Sequence, residues 1–333
     1  MPKNKWISRC VNLAGTTALF FLFVLLFESG VLGAKTTYIK GICTTACYTI
    51  LMVCSLNLLV GCMGEFSLGH AGFMSVGAYM SAIVTNALAD RGIPSFVLFL
   101  LALVTGGICA AATGVLVGIP ALRLRGDYLA IVTLAFAEII RVAFCNFEIT
   151  GGGRAISGIA RLSDFYWCFW VVVVCVAVMF LYVRSRFGRA VIAIREDYIA
   201  AEASGINVTF YKVMTFTVSA FFAGVGGAMY AHYMTSMIPT IFNFSYSAEF
   251  LTEVIIGGTG SLTGSVIGAA FLSSLPELMR SFSTYRMLAY SVVLILVMLF
   301  KPGGIFGTWE FSLAGFVKKI GKGGKRHGGN HSE

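Results

Sequence analysis

Charged residues are scarce: Asp, Glu, Lys and Arg make up 12% of 333 residues, against 58% hydrophobic side chains. A soluble domain carries about 25% charged and roughly 45–50% apolar residues. The shortage argues against a chain wrapped in water, and the apolar excess falls into blocks of membrane-spanning length. Other absences narrow the chemistry. No G-x-x-x-x-G-K-[ST] occurs, so no Walker A loop is encoded, and no strand–glycine–helix context supports a Rossmann site. The nine cysteines (Cys10, Cys43, Cys47, Cys54, Cys62, Cys109, Cys145, Cys168, Cys175) include no C-x-x-C and no metal-ligand spacing. Most lie inside apolar blocks, where a thiol packs as a small hydrophobe. An intramembrane enzyme would have only Ser67 or Ser261 with His70 or His232, and nothing adds an orienting group.

Stretches near the required length of about 20 apolar residues fall near 12–33, 39–60, 68–88, 95–118, 128–146, 166–183, 211–236 and 287–301. A further stretch, 248–278, is interrupted by Gly257-Gly258-Thr259-Gly260-Ser261. The expected fold is an all-α, polytopic transmembrane helical bundle of about 8–10 membrane segments. Lys3, Lys5 and Arg9 before Leu13–Phe27 resemble a signal peptide, but the blocks that follow make this a first transmembrane helix. Residues 1–316 are expected to form one transmembrane domain. Residues 317–333, with Lys318, Lys319, Lys322, Lys325 and Arg326, form a basic tail expected to be disordered and to touch anionic headgroups.

The net charge of +9 is spread between apolar blocks, as the positive-inside bias predicts, and forms no nucleic-acid patch. Both termini then read as cytoplasmic, as do Arg123 and Arg125 and the group Arg184, Arg186, Arg189 and Arg195. The loop 147–165 and the segment 237–247 fall outside. Two cytoplasmic ends need an even number of crossings, which 248–278 as one helix would break. Either residues 248–256 enter as a half-helix and turn back at the glycines, or two short helices cross. Non-helical backbone at membrane depth is tolerated where it is buried in protein or lines a cavity, so 257–264 is a pore or packing feature.

Three regions are candidates for function. Gly64-Glu65-Phe66-Ser67-Leu68-Gly69-His70-Ala71-Gly72-Phe73 crowds polar and small residues at the start of an apolar span, fitting either tight helix packing or a pathway lining. The cytoplasmic stretch 184–212 contains Phe187-Gly188-Arg189-Ala190 and Arg195-Glu196-Asp197-Tyr198-Ile199-Ala200-Ala201-Glu202-Ala203-Ser204-Gly205-Ile206. It is too polar to span and Ala-rich enough for a helix. Gly205 stands where a helix end favours positive φ, and Arg195, Tyr198, Ile199 and Glu202 recur at helical spacing as one mixed face. That face suits a partner's groove; the alternative is a solvated loop. In the third region, Gly260, Gly264 and Gly268 recur every four residues as small-xxx-small steps. Beyond these, Glu138 and Arg141 are spaced to pair, Glu249 and Glu253 and His232 read as interfacial, and Thr150-Gly151-Gly152-Gly153 as an outer flexible contact loop.

Six motifs in order give the chain its resemblance. They are Ser67 to Phe73 with Gly77-Ala78-Tyr79; Leu122-Arg123-Leu124-Arg125-Gly126-Asp127-Tyr128-Leu129 through Leu134; Thr150-Gly151-Gly152; Gly188 to Ile206; Gly257 to Gly264; and Lys301-Pro302-Gly303-Gly304-Ile305-Phe306-Gly307. Over roughly 38–310 the chain resembles the LivM-type permeases of branched-chain amino-acid ABC importers. The resemblance implies a non-enzymatic subunit with no cofactor of its own, ATP and Mg²⁺ being held by partner chains. The implied partners are a second homologous permease, two cytoplasmic ABC ATPase subunits, an extracytoplasmic substrate-binding protein and membrane lipid. Arg195 to Gly205 looks like the coupling helix, flanked by Gly188, Arg189 and Ile206. The substrate path is implied near Ser67, Gly69, His70 and Gly72 and the turn Gly257, Gly258, Gly260, Ser261 and Gly264. Related permeases carry urea or short amides, and an ion-coupled secondary transporter would have to use Glu138, Glu253 and His70.

Overall fold

The computed structural model describes residues 36–89, 92–124 and 126–278, with isolated positions between 285 and 307. The chain divides into a unit of residues 1–39 and 309–333, described only at 36–39, and a unit of residues 40–308. The expected spans 12–33 and 287–301 and the tail 317–333 lie outside the continuously described residues.

Six described helices are long and apolar enough to cross a membrane. They are α1 (Thr36–Asn57, running on as a π-helix over Leu58–Met63), α2 (His70–Leu88), α3 (Ser95–Ala121), α4 (Asp127–Asn146), α5 (Phe165–Arg184) and α8 (Val208–Met234). Each falls on an expected span. Between α5 and α8 lie two short helices, α6 (Arg186–Glu196) and α7 (Tyr198–Ala203). After α8 come α9 (Phe244–Gly257) and α10 (Leu262–Leu278). Among the described residues the one extended pairing is the isolated bridge Ile156–Met237. In a bilayer backbone groups must be satisfied within the segment, which selects helices for such runs. Their starts are set by short polar side chains: Asn207, Asn243 and Ser261 each accept from the backbone N–H three residues on, at 3.0–3.1 Å, capping α8, α9 and α10.

The burial of each helix fixes its place. The most apolar stretches of α1 and α8 are 94% and 72% buried within the chain, whereas those of α4 and α5 are 22% and 17% buried. So α1, α2 and α8 form the centre, and α4 and α5 turn apolar surface (Ile131, Ile139, Val174, Leu181) outward. At the centre α2, α3 and α8 meet backbone to backbone. A Cβ on Gly77 would overlap Gly224, one on Gly224 would overlap Ala110 Cβ, and one on Gly106 would lie 2.8 Å from the Gly77 carbonyl oxygen. Without a strong hydrophobic drive between helices in lipid, such close approach gains dispersion contact instead.

The interrupted segment is two helices folded into a hairpin. A Cβ on Gly257 would lie 2.7 Å from the Gly264 carbonyl oxygen, and one on Gly268 would lie 2.7 Å from Gly257 Cα. Gly260 is not part of that stripe, because it lies in the turn before α10 begins at Leu262. The small-xxx-small face therefore reduces to Gly264 and Gly268 against Gly257.

Candidate functional site

The connector between α5 and α8 is built from caps. Ser185 Oγ donates to the Tyr182 carbonyl at 2.6 Å and accepts from Gly188 N–H at 3.3 Å, starting α6. Gly188 is buried, and a side chain there would overlap the carbonyls of Tyr182 and Val183, so the sharp bend requires glycine. Arg189 projects to the exterior, while Val191 and Ile194 are buried and anchor α6.

At Asp197 the backbone becomes extended (φ −154°, ψ 107°), and its carboxylate accepts from Ile199 N–H at 2.9 Å and Ala200 N–H at 3.1 Å. This cap begins α7 and overturns the expected continuous face. Arg195 belongs to α6, whereas Tyr198, Ile199 and Glu202 belong to α7. The physical reason is that an Asp carboxylate competes with the helix ladder for backbone donors. The expectation for Gly205 holds: its φ is +81°, its N–H donates to the Glu202 carbonyl at 2.9 Å, and Ile206 N–H donates to the Ala201 carbonyl at 3.1 Å. That pair of bonds is a Schellman motif. Ala201 is buried beneath α7, while Ile199 (64% exposed), Ala200, Glu202 and Ser204 face outward.

Arg195 points the other way. Its Nη1 donates to the Gly61 carbonyl at 2.5 Å, its Nε and Nη2 engage the Glu196 carboxylate, and its stem fills the space a Gly64 side chain would occupy, with Cγ 2.6 Å from that position. Gly61 lies in the last turn of the α1 π-helix, whose final carbonyls have no helical partner. A cation there satisfies one of them and meets the negative end of the helix dipole. Hydrogen bonds to charged groups contribute about 1.5–3 kcal/mol. A second strut is the ion pair of Lys212 and Glu65, both 11% exposed, joining the start of α8 to the loop after α1. Met63, Glu65, Arg195, Asp197, Tyr198 and Lys212 line a cleft of about 320 Å³ here.

Gly61 also touches the glycine turn, since a side chain on it would overlap the backbone of Gly260. Asn57, fully buried one π-turn earlier, holds that turn: Gly260 N–H donates to Asn57 Oδ1 at 2.9 Å, and Nδ2 donates to the Ser261 carbonyl at 3.0 Å and to Ser265 Oγ at 2.8 Å. Ser261 Oγ accepts from Gly264 N–H, closing the cap of α10. Behind the turn, Gly304 and Gly307 of the sixth motif pack on Gly258; a Gly304 side chain would lie 2.5 Å from Gly258 Cα.

One of the other pathway candidates, His70, reaches the same stretch of α1 at Ser55, two residues before Asn57. Ser55 Oγ donates to the Met52 carbonyl at 2.8 Å, so it accepts from His70 Nε2–H at 2.7 Å. His70 is fully buried, and its Nδ1 has no partner among the described residues. Ser67 is buried with its hydroxyl unpartnered. Gly69 lies against the Thr133 carbonyl and Gly72 against Ala137 of α4, a Gly72 side chain coming within 2.9 Å. His70 of the first block and the glycine turn thus converge on Ser55–Gly61, and α6 joins them through Arg195, while Gly69 and Gly72 pack on α4.

Some secondary readings change. Glu253 is 2% exposed with Oε2 unpartnered, so it is not interfacial, whereas Glu249 is exposed. His232 is also buried, its Nδ1–H donating to the Ala160 carbonyl at 2.9 Å. Glu138 and Arg141 do pair, at 2.7 Å. Thr150 Oγ1 bonds back toward Phe144 and Phe147 at 2.7–2.8 Å, giving the Thr150–Gly153 loop a defined turn. Asn57 escaped the sequence reading, although a lone amide within an apolar span is a signal in its own right. The pairings of Glu65 with Lys212 and of Arg195 with Gly61 span 147 and 134 residues, and no local pattern encodes them.

Apolar helices around a glycine-packed centre, with a capped connector at one end, define a multi-pass membrane protein. A family model described as "Branched-chain amino acid transport system / permease component" matches residues 38–301, and the chain belongs to that family. It is 36% identical over 299 residues to the high-affinity branched-chain amino acid transport system permease protein LivM of Salmonella typhimurium, covering 79% of this chain and 69% of that one. The LivM of Escherichia coli K12 matches to the same extent. The Escherichia coli K12 permease protein LivH is 25% identical over 294 residues, covering 81% of this chain and 94% of LivH. Among solved structures, PsaBC from Streptococcus pneumoniae in complex with Fab aligns with a TM-score of 0.44 at 14% identity over 83% of this chain and 95% of that chain.

Proposed function

We propose that this chain, an ABC importer permease subunit, passes leucine, isoleucine and valine across the cytoplasmic membrane at an interface with a second, homologous permease. Two cytoplasmic ATPase subunits bind and hydrolyse ATP with Mg²⁺, and an extracytoplasmic binding protein delivers the amino acid. The chain itself carries no cofactor and no hydrolytic activity, in keeping with the lack of a Walker A loop. Both termini and the α6–α7 connector are cytoplasmic, in keeping with the arginines that flank α6.

The observation that carries this reading is the connector. The helix α7 is capped at both ends by Asp197 and Gly205, anchored by buried Ala201, and presents Ile199, Ala200 and Glu202 outward. A short, rigid element with one apolar anchor and one charge fits a protein groove. In the importer it seats in an ATPase subunit, with Gly188 setting its angle. The path for substrate runs beside the Gly257–Gly264 turn and the Ser67–Gly72 block. Affinity capture of the tagged chain from solubilised membranes, followed by mass spectrometry, tests this. Recovery of a second permease with two ATPase subunits is expected. Recovery of this chain alone, under conditions that preserve other ABC complexes, overturns it.

A further inference from the structure

We infer that Arg195 is a positioning residue that transmits movement of the α6–α7 connector to the glycine turn, and is not a contact to the ATPase. The inference rests on the permease reading above. The residue is set apart from its neighbours by direction. Ile199, Ala200 and Glu202 face outward from α7; the Arg195 side chain is 36% exposed, yet its Nη1 ends on the Gly61 carbonyl at 2.5 Å. A slot of glycines admits it: Gly64 leaves room for the stem, and Gly260 has its would-be Cβ 3.7 Å from Arg195 Nη1. Glu196 holds the other edge of the guanidinium, so the planar fork is fixed on both sides.

From Gly61 onward the contacts are short and polar. The Gly61 backbone abuts Gly260, and Asn57 holds Gly260, Ser261 and Ser265 by three hydrogen bonds of 2.8–3.0 Å. A shift of α6 therefore displaces the last turn of α1 and the hairpin of α9 and α10 with it. The π-helix matters here, because π-turns within α-helices recur at functional sites and at kinks. On the connector side only Glu196 and the extended Asp197 separate Arg195 from the outward α7, so a push on α7 reaches the guanidinium through a short lever.

Coupling between two sites needs an element whose state both can bias, and the segment Asn57–Gly64 is placed for that role. The test uses the complete importer, with partner permease, ATPase subunits and binding protein, in proteoliposomes. Uptake and ATP hydrolysis are measured together, and ATPase subunits bound per permease are measured by co-purification. For Arg195→Gln the expected result is full ATPase co-purification, hydrolysis no longer stimulated by loaded binding protein, and uptake per ATP reduced tenfold or more. Arg195→Lys keeps the charge but not the fork, and a threefold or greater loss is expected. If Arg195→Gln is not recovered in folded form, Arg195→Lys decides the matter alone. Unchanged uptake per ATP in the recovered variants overturns the inference, and so does loss of the ATPase subunits, which would make Arg195 a docking contact. Failure of the permease reading itself would look different, since the wild-type assembly would then show no ATP-driven uptake.

Discussion

Replacing Asn57 by alanine tests whether the glycine turn is held by one amide. The side chain is fully buried, and its orientation is fixed because Gly260 N–H can only donate to the carbonyl oxygen. Truncation leaves the Gly260 N–H without its acceptor and the Ser265 hydroxyl without its donor, with no helix bond to replace either. An orphaned buried polar group costs about 1–3 kcal/mol, toward the upper end where water is absent. The two together predict a loss of about 4–6 kcal/mol. With an unfolding entropy of about 2.1 cal/mol/K per residue over 333 residues, each kcal/mol corresponds to about 1.4 °C, giving a drop of roughly 6–9 °C. Thermal melting of the detergent-solubilised protein, at one fixed scan rate because such unfolding is irreversible, reads this directly. The sharper comparison is Asn57→Asp, which keeps the shape and the acceptor for Gly260. It turns a donor into a charged acceptor facing the Ser261 carbonyl, 3.0 Å from the amide nitrogen it replaces. When ionised it should melt no higher than Asn57→Ala, and when protonated it can donate in the amide's place, so its melting temperature should fall as pH rises. Melting of Asn57→Ala within ~2 °C of wild type would show that the amide holds neither the glycine turn nor Ser265.

Gly224→Ala should destabilise the bundle by about 1–3 kcal/mol, the cost of overpacking, while Gly153→Ala, with nothing within 4 Å of the added carbon, should stay within about 0.5 kcal/mol; paired melting curves compare them. Glu202→Arg reverses an exposed charge on α7. It should leave the melting temperature unchanged but reduce ATPase co-purification, and intact complexes with normal coupling would remove α7 from the docking face. Glu253→Gln removes a buried carboxylate with an unpartnered oxygen, and since an unpaired buried charge is costly, stability should hold or rise. Wild-type uptake should survive an uncoupler at constant ATP, whereas its collapse would point to ion coupling with Glu253 as a candidate carrier.

How far the sequence could be read depended on the range of the interaction. The six spans were legible from apolar runs alone, because a bilayer demands about 20 such residues whatever the tertiary packing. Gly205 was legible because the left-handed backbone at a helix end is a local property. Asp197 misled for a related reason: spacing over Arg195–Glu202 matched a helix, yet one carboxylate three atoms from the backbone was enough to split it. The contacts that organise the candidate site, Arg195 to Gly61 and Asn57 to the turn, join residues 134 and more than 200 apart. Glycine hid the meaning of that region, since the same Gly-rich pattern suits a turn, a stripe or a slot, and 257–264 contributes to all three.

The junction of Gly77, Gly106 and Gly224 has a mechanical corollary. Three helices whose backbones touch at one point cannot slide past one another, because the next residues to arrive carry a Cβ: Ala78, Ala110 and Ala228 stand beside the contact and are fully buried. Axial travel by even part of a turn would force a methyl group into a carbonyl. The centre of the bundle is therefore indexed like a key in its lock, held in a single register. Motion during a transport cycle has to be rotation about that fixed point, or bending of elements outside it, with the hairpin hung on Asn57 as the part left free to swing.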